Sequence, residues 1–198
     1  MSKNTAIGFE QLLQSVRQCR ICADALPMGP RPVLQLDPAA RILIAGQAPG
    51  RRVHECGIPF DDPSGDRLRQ WLGISRETFY DASQVAILPM GFCYPGTGKS
   101  GDLPPRPECA PAWRDELMGS LSSIRLTLVI GQYAQKWHLP SKKKNLTETV
   151  RAWQEYPTGI MPLPHPSPRN NVWLKKNPWF NDELLPALQE NTKKALRD

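Results

Sequence analysis

The chain has 198 residues, 40% hydrophobic and 22% charged, with a formal net charge of +6. That is the length of one domain, residues 1–198, able to bury about 70% of its unfolded surface, and the composition is that of an ordinary soluble globular protein. No run of 18 apolar residues exists, which excludes a membrane span, and the opening Met1-Ser2-Lys3-Asn4-Thr5-Ala6 has no apolar segment of the kind that directs secretion, so a cytoplasmic protein is expected.

Apolar residues at helical spacing (Phe9, Leu12, Leu13, Val16) predict an amphipathic helix over 8–18. A buried strand is expected at 41–45 (Arg-Ile-Leu-Ile-Ala), then a helix over 65–73 carrying Leu68, Trp71 and Leu72. Further strands are expected at 85–89, 126–130 and 159–163. Helices are expected over 107–121, 145–155 and 179–196. Strands alternating with helices imply a parallel sheet covered on both faces. The fold expected is a three-layer α/β/α sandwich around a four-stranded parallel sheet. In such a sheet, sites form at the carboxyl ends of the strands. Most of the 21 prolines fall in 26–38, 89–112 and 157–178, and long structured loops in a compact domain are usually functional.

Two such loops carry chemistry. The first, Gly46-Gln47-Ala48-Pro49-Gly50, directly follows the strand at 41–45. Its glycines let the backbone approach a ligand closely, and Gln47 offers both a donor and an acceptor. Gly57-Ile58-Pro59-Phe60 then presents an aromatic ring on which a nucleobase can stack, a contact worth about 1–3 kcal/mol. Ser64 or Asp66 is expected to cap the next helix. Arg51 and Arg52 can hold phosphates, and His54 and Asp61 are second-rank candidates for the site. The second loop, His165-Pro166-Ser167-Pro168-Arg169-Asn170, fixes His165 and Ser167 between prolines. His165 can hydrogen-bond an oxygen on which negative charge develops. Ser167 can grip a phosphate, and Arg169, Asn170 and Asn171 can form a polar wedge. The two loops can face each other across one cleft. With the basic charge, they point to nucleic acid as partner.

Cys19-x-x-Cys22 near the start and Cys93 with Cys109 mid-chain leave Cys56 over. In a cytosolic protein, paired cysteines read as metal ligands more than disulfides. Four thiolates suit zinc or an iron–sulfur cluster; the remaining reading is four free cysteines holding nothing. Pro95-Gly96-Thr97-Gly98-Lys99-Ser100 imitates a phosphate-binding P-loop. However, Cys93 stands where the motif needs its first glycine, and Pro104, Pro105 and Pro107 disfavour the helix that should follow. Lys99 is expected to meet DNA phosphate instead.

Taken in order, Gly46–Gly50, Gly57–Phe60, Gly65–Leu72 and His165-Pro166-Ser167-Pro168 resemble the uracil-DNA glycosylase superfamily, closest to its thermophile-type iron–sulfur branch. The resemblance implies a monofunctional DNA glycosylase in base-excision repair, acting as a monomer on DNA, with uracil the first candidate base. By resemblance, Gln47 contacts the base or the attacking water, Phe60 stacks on the flipped base, and His165 is catalytic with Gln47. Ser167 pinches the backbone, and Cys19, Cys22, Cys93 and Cys109 hold a [4Fe–4S] cluster. Ala48 stands where some members carry a water-positioning Asp. Pro89 stands where related enzymes place a base-reading Asn, which leaves the segment with Met90 and Gly91 to read the base through backbone groups. Ala48 and Pro89 favour the alternative of a catalytically weak or inactive DNA- or lesion-binding protein on the same fold.

Overall fold

The structure, a computed structural model, describes residues 3–99 and 101–197. In chain order the elements are α1 (Lys3–Arg17), β1 (Ile42–Ala45), α2 (Arg51–Cys56), α3 (Pro63–Leu72), α4 (Arg76–Tyr80), β2 (Val85–Ile87), β3 (Thr97–Gly98), β4 (Gly101–Asp102), α5 (Cys109–Gly119), β5 (Leu126–Ile130), α6 (Gly131–His138), α7 (Leu146–Arg151), β6 (Ile160–Leu163), α8 (Asn171–Lys176) and α9 (Leu185–Arg197). Four strands form one sheet in the order β2-β1-β5-β6, every neighbouring pair parallel. Ile42 pairs with Val85 on one side and with Leu126 on the other. Pro162 is tolerated because β6 is an edge strand, where a missing N–H leaves no ladder bond unmade.

Alternate residues of each strand point to opposite faces, and the core divides accordingly. Ile42, Ile44 and Ile87 pack under Leu68, Trp71 and Leu72 of α3 and Leu188 of α9. Leu43 and Ala86 pack under Phe9, Leu13 and Val16 of α1 and Leu117 of α5. Helices therefore cover both faces, as the alternation of elements predicts. The C-terminal helix departs from expectation at one turn: Phe180–Leu184 is π-helical. Pro186 lacks the N–H that the carbonyl of Asp182 needs, and the turn before it widens. The P-loop look-alike is a hairpin. Thr97–Gly98 pairs antiparallel with Gly101–Asp102, so no helix opens there; Ser100 lies outside the described residues.

One buried charge ties the layers together. Arg114 of α5 is fully buried and donates to the carbonyls of Leu88 (3.1 Å) and Pro89 (2.8 Å), holding the chain as it leaves β2. Its Nε donates to Nε2 of His138 at 3.1 Å, and its Nη2 lies 2.6 Å from the same nitrogen. Burial first, and the facing guanidinium second, push His138 from its ordinary 6.5 down to about 4. The folded protein thus keeps this imidazole neutral where the unfolded chain protonates it. The resulting stability is complete above pH 6.5 and is lost as the pH falls toward about 4, up to about 3 kcal/mol. Urea unfolding at pH 7 and pH 4.5 is expected to show this loss. His138→Gln, whose amide oxygen can still accept from Arg114, is expected to flatten that part of the profile; an unchanged profile in the variant would assign the loss elsewhere.

Candidate active site

The loop after β1 extends the sheet before it turns away. Met90 N–H donates to Gly46 O and Gly91 N–H to Gln47 O, both at 2.9 Å, so the exits of β1 and β2 stay zipped together. Gly50 then starts α2, and Gly57, at φ 76°, ends it with its N–H on Val53 O. Phe60 follows at φ 56°, the only non-glycine residue in the left-handed region among the described residues. The next helix begins with Asp62, whose Oδ1 accepts from Gly65 N at 2.9 Å, and with Pro63 at its first position. The cap is therefore Asp62 rather than Ser64 or Asp66. Gly65 passes so close to Phe60 that a Cβ there would stand 1.8 Å from the Phe60 carbonyl oxygen. The Phe60 ring is held edge-on to Phe79 at 6.2 Å between centroids, and its tip reaches to 3.6 Å from where a Gly46 side chain would begin.

The loop after β6 is fixed by its own hydrogen bonds. Ser167 N–H donates to His165 Nδ1 at 3.2 Å, which leaves the proton of the neutral ring on Nε2. Asn170 Nδ2 donates to His165 O at 2.7 Å. Arg67 of α3 reaches across to donate to Ser167 O (3.1 Å) and Asn171 Oδ1 (2.7 Å). Sequence reasoning missed Arg67, which lies on what reads as a solvent face of its helix. Of the three residues expected to form a polar wedge, Asn170 and Asn171 each brace the loop through one hydrogen bond, and Arg169 stays exposed beside Gly101. Ser167 Oγ accepts from Arg169 N at 3.2 Å, and its own proton is still available to a phosphate.

These loops converge on one cavity of about 430 Å³, in the size range of small-ligand sites. Gln47, Ala48, Phe60, His165, Ser167, Arg169 and Asn170 all line it, and so do Pro89 and two carboxylates, Asp62 and Asp102. Asp102 comes from the hairpin, which packs over the first loop through Gln47 Nε2 donating to Leu103 O at 3.2 Å. Burial pushes the His165 imidazole below its ordinary 6.5, opposed by Asp62 and Asp102.

Several expected site residues stand elsewhere. Met90 is buried with Ala45 and Val129, and Gly91 lies against Pro105; the N–H groups of both belong to the ladder, so neither faces the cavity. Asp61 is paired with Arg76 at 2.9 Å. His54 is buried on α2 against Tyr94, its Nδ1 without a hydrogen-bond partner among the described residues, and is absent from the cavity wall. Arg51 and Arg52 are exposed on the first turn of α2, and Arg51 pairs with Glu55.

A family model described as the uracil DNA glycosylase superfamily matches residues 34–189. The chain belongs to the uracil DNA glycosylase superfamily. Membership supports a glycosylase that hydrolyses N-glycosidic bonds in DNA. Apart from Val33, the cavity walls come from the matched region, and so do Cys93 and Cys109; Cys19 and Cys22 precede it. Among the described residues no helix is long and apolar enough to cross a membrane.

Among the described residues none of these four cysteines forms a disulfide, and they line a second, small cavity between the end of α1, the exit of β2 and the start of α5. Among the described residues no three His, Cys, Asp or Glu side chains converge closely enough to hold a single metal ion. Hydrogen-bond donors nonetheless reach two of the sulfurs. Trp113 Nε1 donates to Cys19 Sγ at 3.2 Å and Phe92 N to Cys109 Sγ at 3.4 Å. Arg106, in the same wall, has a buried Nε with no acceptor among the described residues. Burial pushes the thiols of Cys93 and Cys109 up to about 11 and about 12, so ligation by either displaces a proton. Cys56 is exposed and lies apart from this cavity.

Proposed function

We propose that this superfamily member is a monofunctional DNA glycosylase of base-excision repair, working as a cytoplasmic monomer, with uracil its first candidate base. The observation that carries the reading is that the Phe60 ring and the His165 imidazole line one cavity at the carboxyl ends of the strands. Extruding a base from the duplex costs a few kcal/mol, least at a mismatch, so uracil opposite guanine is favoured. Phe60 stacks on the extruded base, and Gln47 contacts the base or the water that attacks it. The glycosidic bond breaks with positive charge growing on the sugar and negative charge on the base. His165, neutral and carrying its proton on Nε2, donates to the base oxygen where that charge gathers. Ser167, Arg169 and, further out, Lys99, Arg51 and Arg52 hold phosphates. No lysine is among the cavity-lining residues, which favours simple hydrolysis over Schiff-base chemistry and strand cleavage.

Cys19, Cys22, Cys93 and Cys109 are the residues that would hold a [4Fe–4S] cluster. The cluster's contribution would be a cross-link between the N-terminal segment, the exit of β2 and α5. A cluster presents a separate iron to each thiolate, so its ligands need not meet at one point, in keeping with thiols that share a cavity without converging. Iron and inorganic sulfide in anaerobically purified protein, with visible absorbance, are the expected finding; zinc or no metal would overturn this part.

Single- and double-stranded DNA containing one uracil, incubated with the protein and then treated with alkali, is expected to be cut at the uracil. Uncut DNA at high protein concentration would sink the enzymatic reading. Tight binding to the same DNA without release would establish the alternative of a lesion-binding protein, toward which Ala48 and Pro89 in the cavity wall point.

A further inference from the structure

We propose that Asp102, delivered into the cavity by the β3–β4 hairpin, is a catalytic carboxylate that holds the attacking water and takes its proton. The proposal rests on the glycosylase reading above. Hydrolysis requires an oxygen nucleophile beside the sugar and a base for the proton it sheds. Ala48, in the cavity wall at the exit of β1, has no polar side chain to do either. The carboxylates lining the cavity are Asp62 and Asp102. Asp62 is already committed: its Oδ1 caps α3 by accepting from Gly65 N.

Asp102 differs in every respect. Among the described residues its carboxylate has no hydrogen bond and no ion pair, while the backbone that carries it is well anchored. Thr97 faces it in the hairpin register, Leu103 N donates to Gly96 O at 2.8 Å, and Gln47 Nε2 donates to Leu103 O at 3.2 Å. Oδ2 lies 3.4 Å from where a Cβ on Gly50 would stand, so the carboxylate faces the loop after β1, and the glycine leaves space beside it. The nearby cation, Arg169, packs over Gly101 instead of pairing with Asp102. A fixed backbone with an uncommitted carboxylate is what positioning a water requires.

In the step, the water oxygen forms a bond to C1′ of the deoxyribose as the C1′–N bond breaks. The pair from that bond leaves with the base, which His165 holds by hydrogen bonding, and the water proton passes to Asp102. Before the transfer, the same carboxylate faces the positive charge growing on the sugar.

The test compares Asp102→Asn with the wild type in single-turnover release of uracil from DNA, with the dissociation constant for that DNA measured in parallel. Release is expected to slow by about 100-fold or more with binding unchanged, and added formate is expected to restore part of the rate in Asp102→Ala. Wild-type release by Asp102→Asn would overturn the proposal while leaving the glycosylase reading intact. Loss of release together with loss of binding, or with no recovery in formate, would make Asp102 a structural residue and also overturn it. Loss of release in a folded Asp62→Asn with Asp102→Asn unaffected would move the role to Asp62. An inactive wild type would bring down both readings together.

Discussion

His165→Ala is expected to slow base release by about 100- to 1,000-fold, the usual cost of removing one hydrogen-bond donor aimed at developing negative charge. The donor is defined by its surroundings. Ser167 N–H occupies Nδ1, so the neutral ring has its proton on Nε2, and Asn170 grips the residue's own carbonyl so that the ring cannot drift. Burial holds the imidazole below its ordinary 6.5 despite the two carboxylates in the same cavity. In the proposed mechanism the neutral form is therefore the working form at neutral pH, and an acid limb due to His165 is expected below pH 6.5 rather than at it. Binding to uracil DNA should change little in the variant, because its phosphate contacts are elsewhere. A rate within threefold of wild type would remove His165 from the chemistry.

Gly65→Ala is expected to be the most destabilising single change in the site. The added methyl would stand 1.8 Å from the Phe60 oxygen, 2.7 Å from its carbonyl carbon and 2.8 Å from its Cβ, all groups with no freedom to swing away. Either the first turn of α3 lifts, breaking the Asp62 cap, or Phe60 leaves its position. Overpacking at this level costs about 3 kcal/mol, or roughly 6–12 °C in Tm for a chain of this size, measured by thermal unfolding. Gly46→Ala is the matched control. Its methyl would meet the Phe60 ring at 3.6 Å, an ordinary contact, so the fold should tolerate it while the cavity narrows. Equal Tm values for Gly65→Ala and wild type would show that the loop is not held as tightly as described.

The sheet and the long helices were legible because each strand is a short apolar run and each long helix repeats its apolar face over two turns or more. α2, α4, α6 and α8 have five to eight residues each, too few for a helical period to show. Gln47, Phe60 and His165 were legible as residues just beyond strands or on Gly/Pro-shaped loops. Asp102 was not, because it follows a stretch whose glycines, Lys99 and Ser100 imitate a nucleotide loop. Met90 and Asn170 show a different limit: loop position reveals nearness to the site, whereas side-chain direction is set by which backbone groups need a partner. Asn170 turns inward because the carbonyl of His165 requires a donor, and Met90 because the layer under Ala45 and Val129 requires filling.

A phenylalanine in the left-handed region carries about 1–3 kcal/mol of backbone strain, and here the whole protein bears it before any DNA arrives. On the proposed stacking role, an arriving base would meet a ring whose tilt and height were settled when the chain folded, so little conformational freedom would remain to be surrendered during an encounter that lasts only as long as one nucleotide stays swung out.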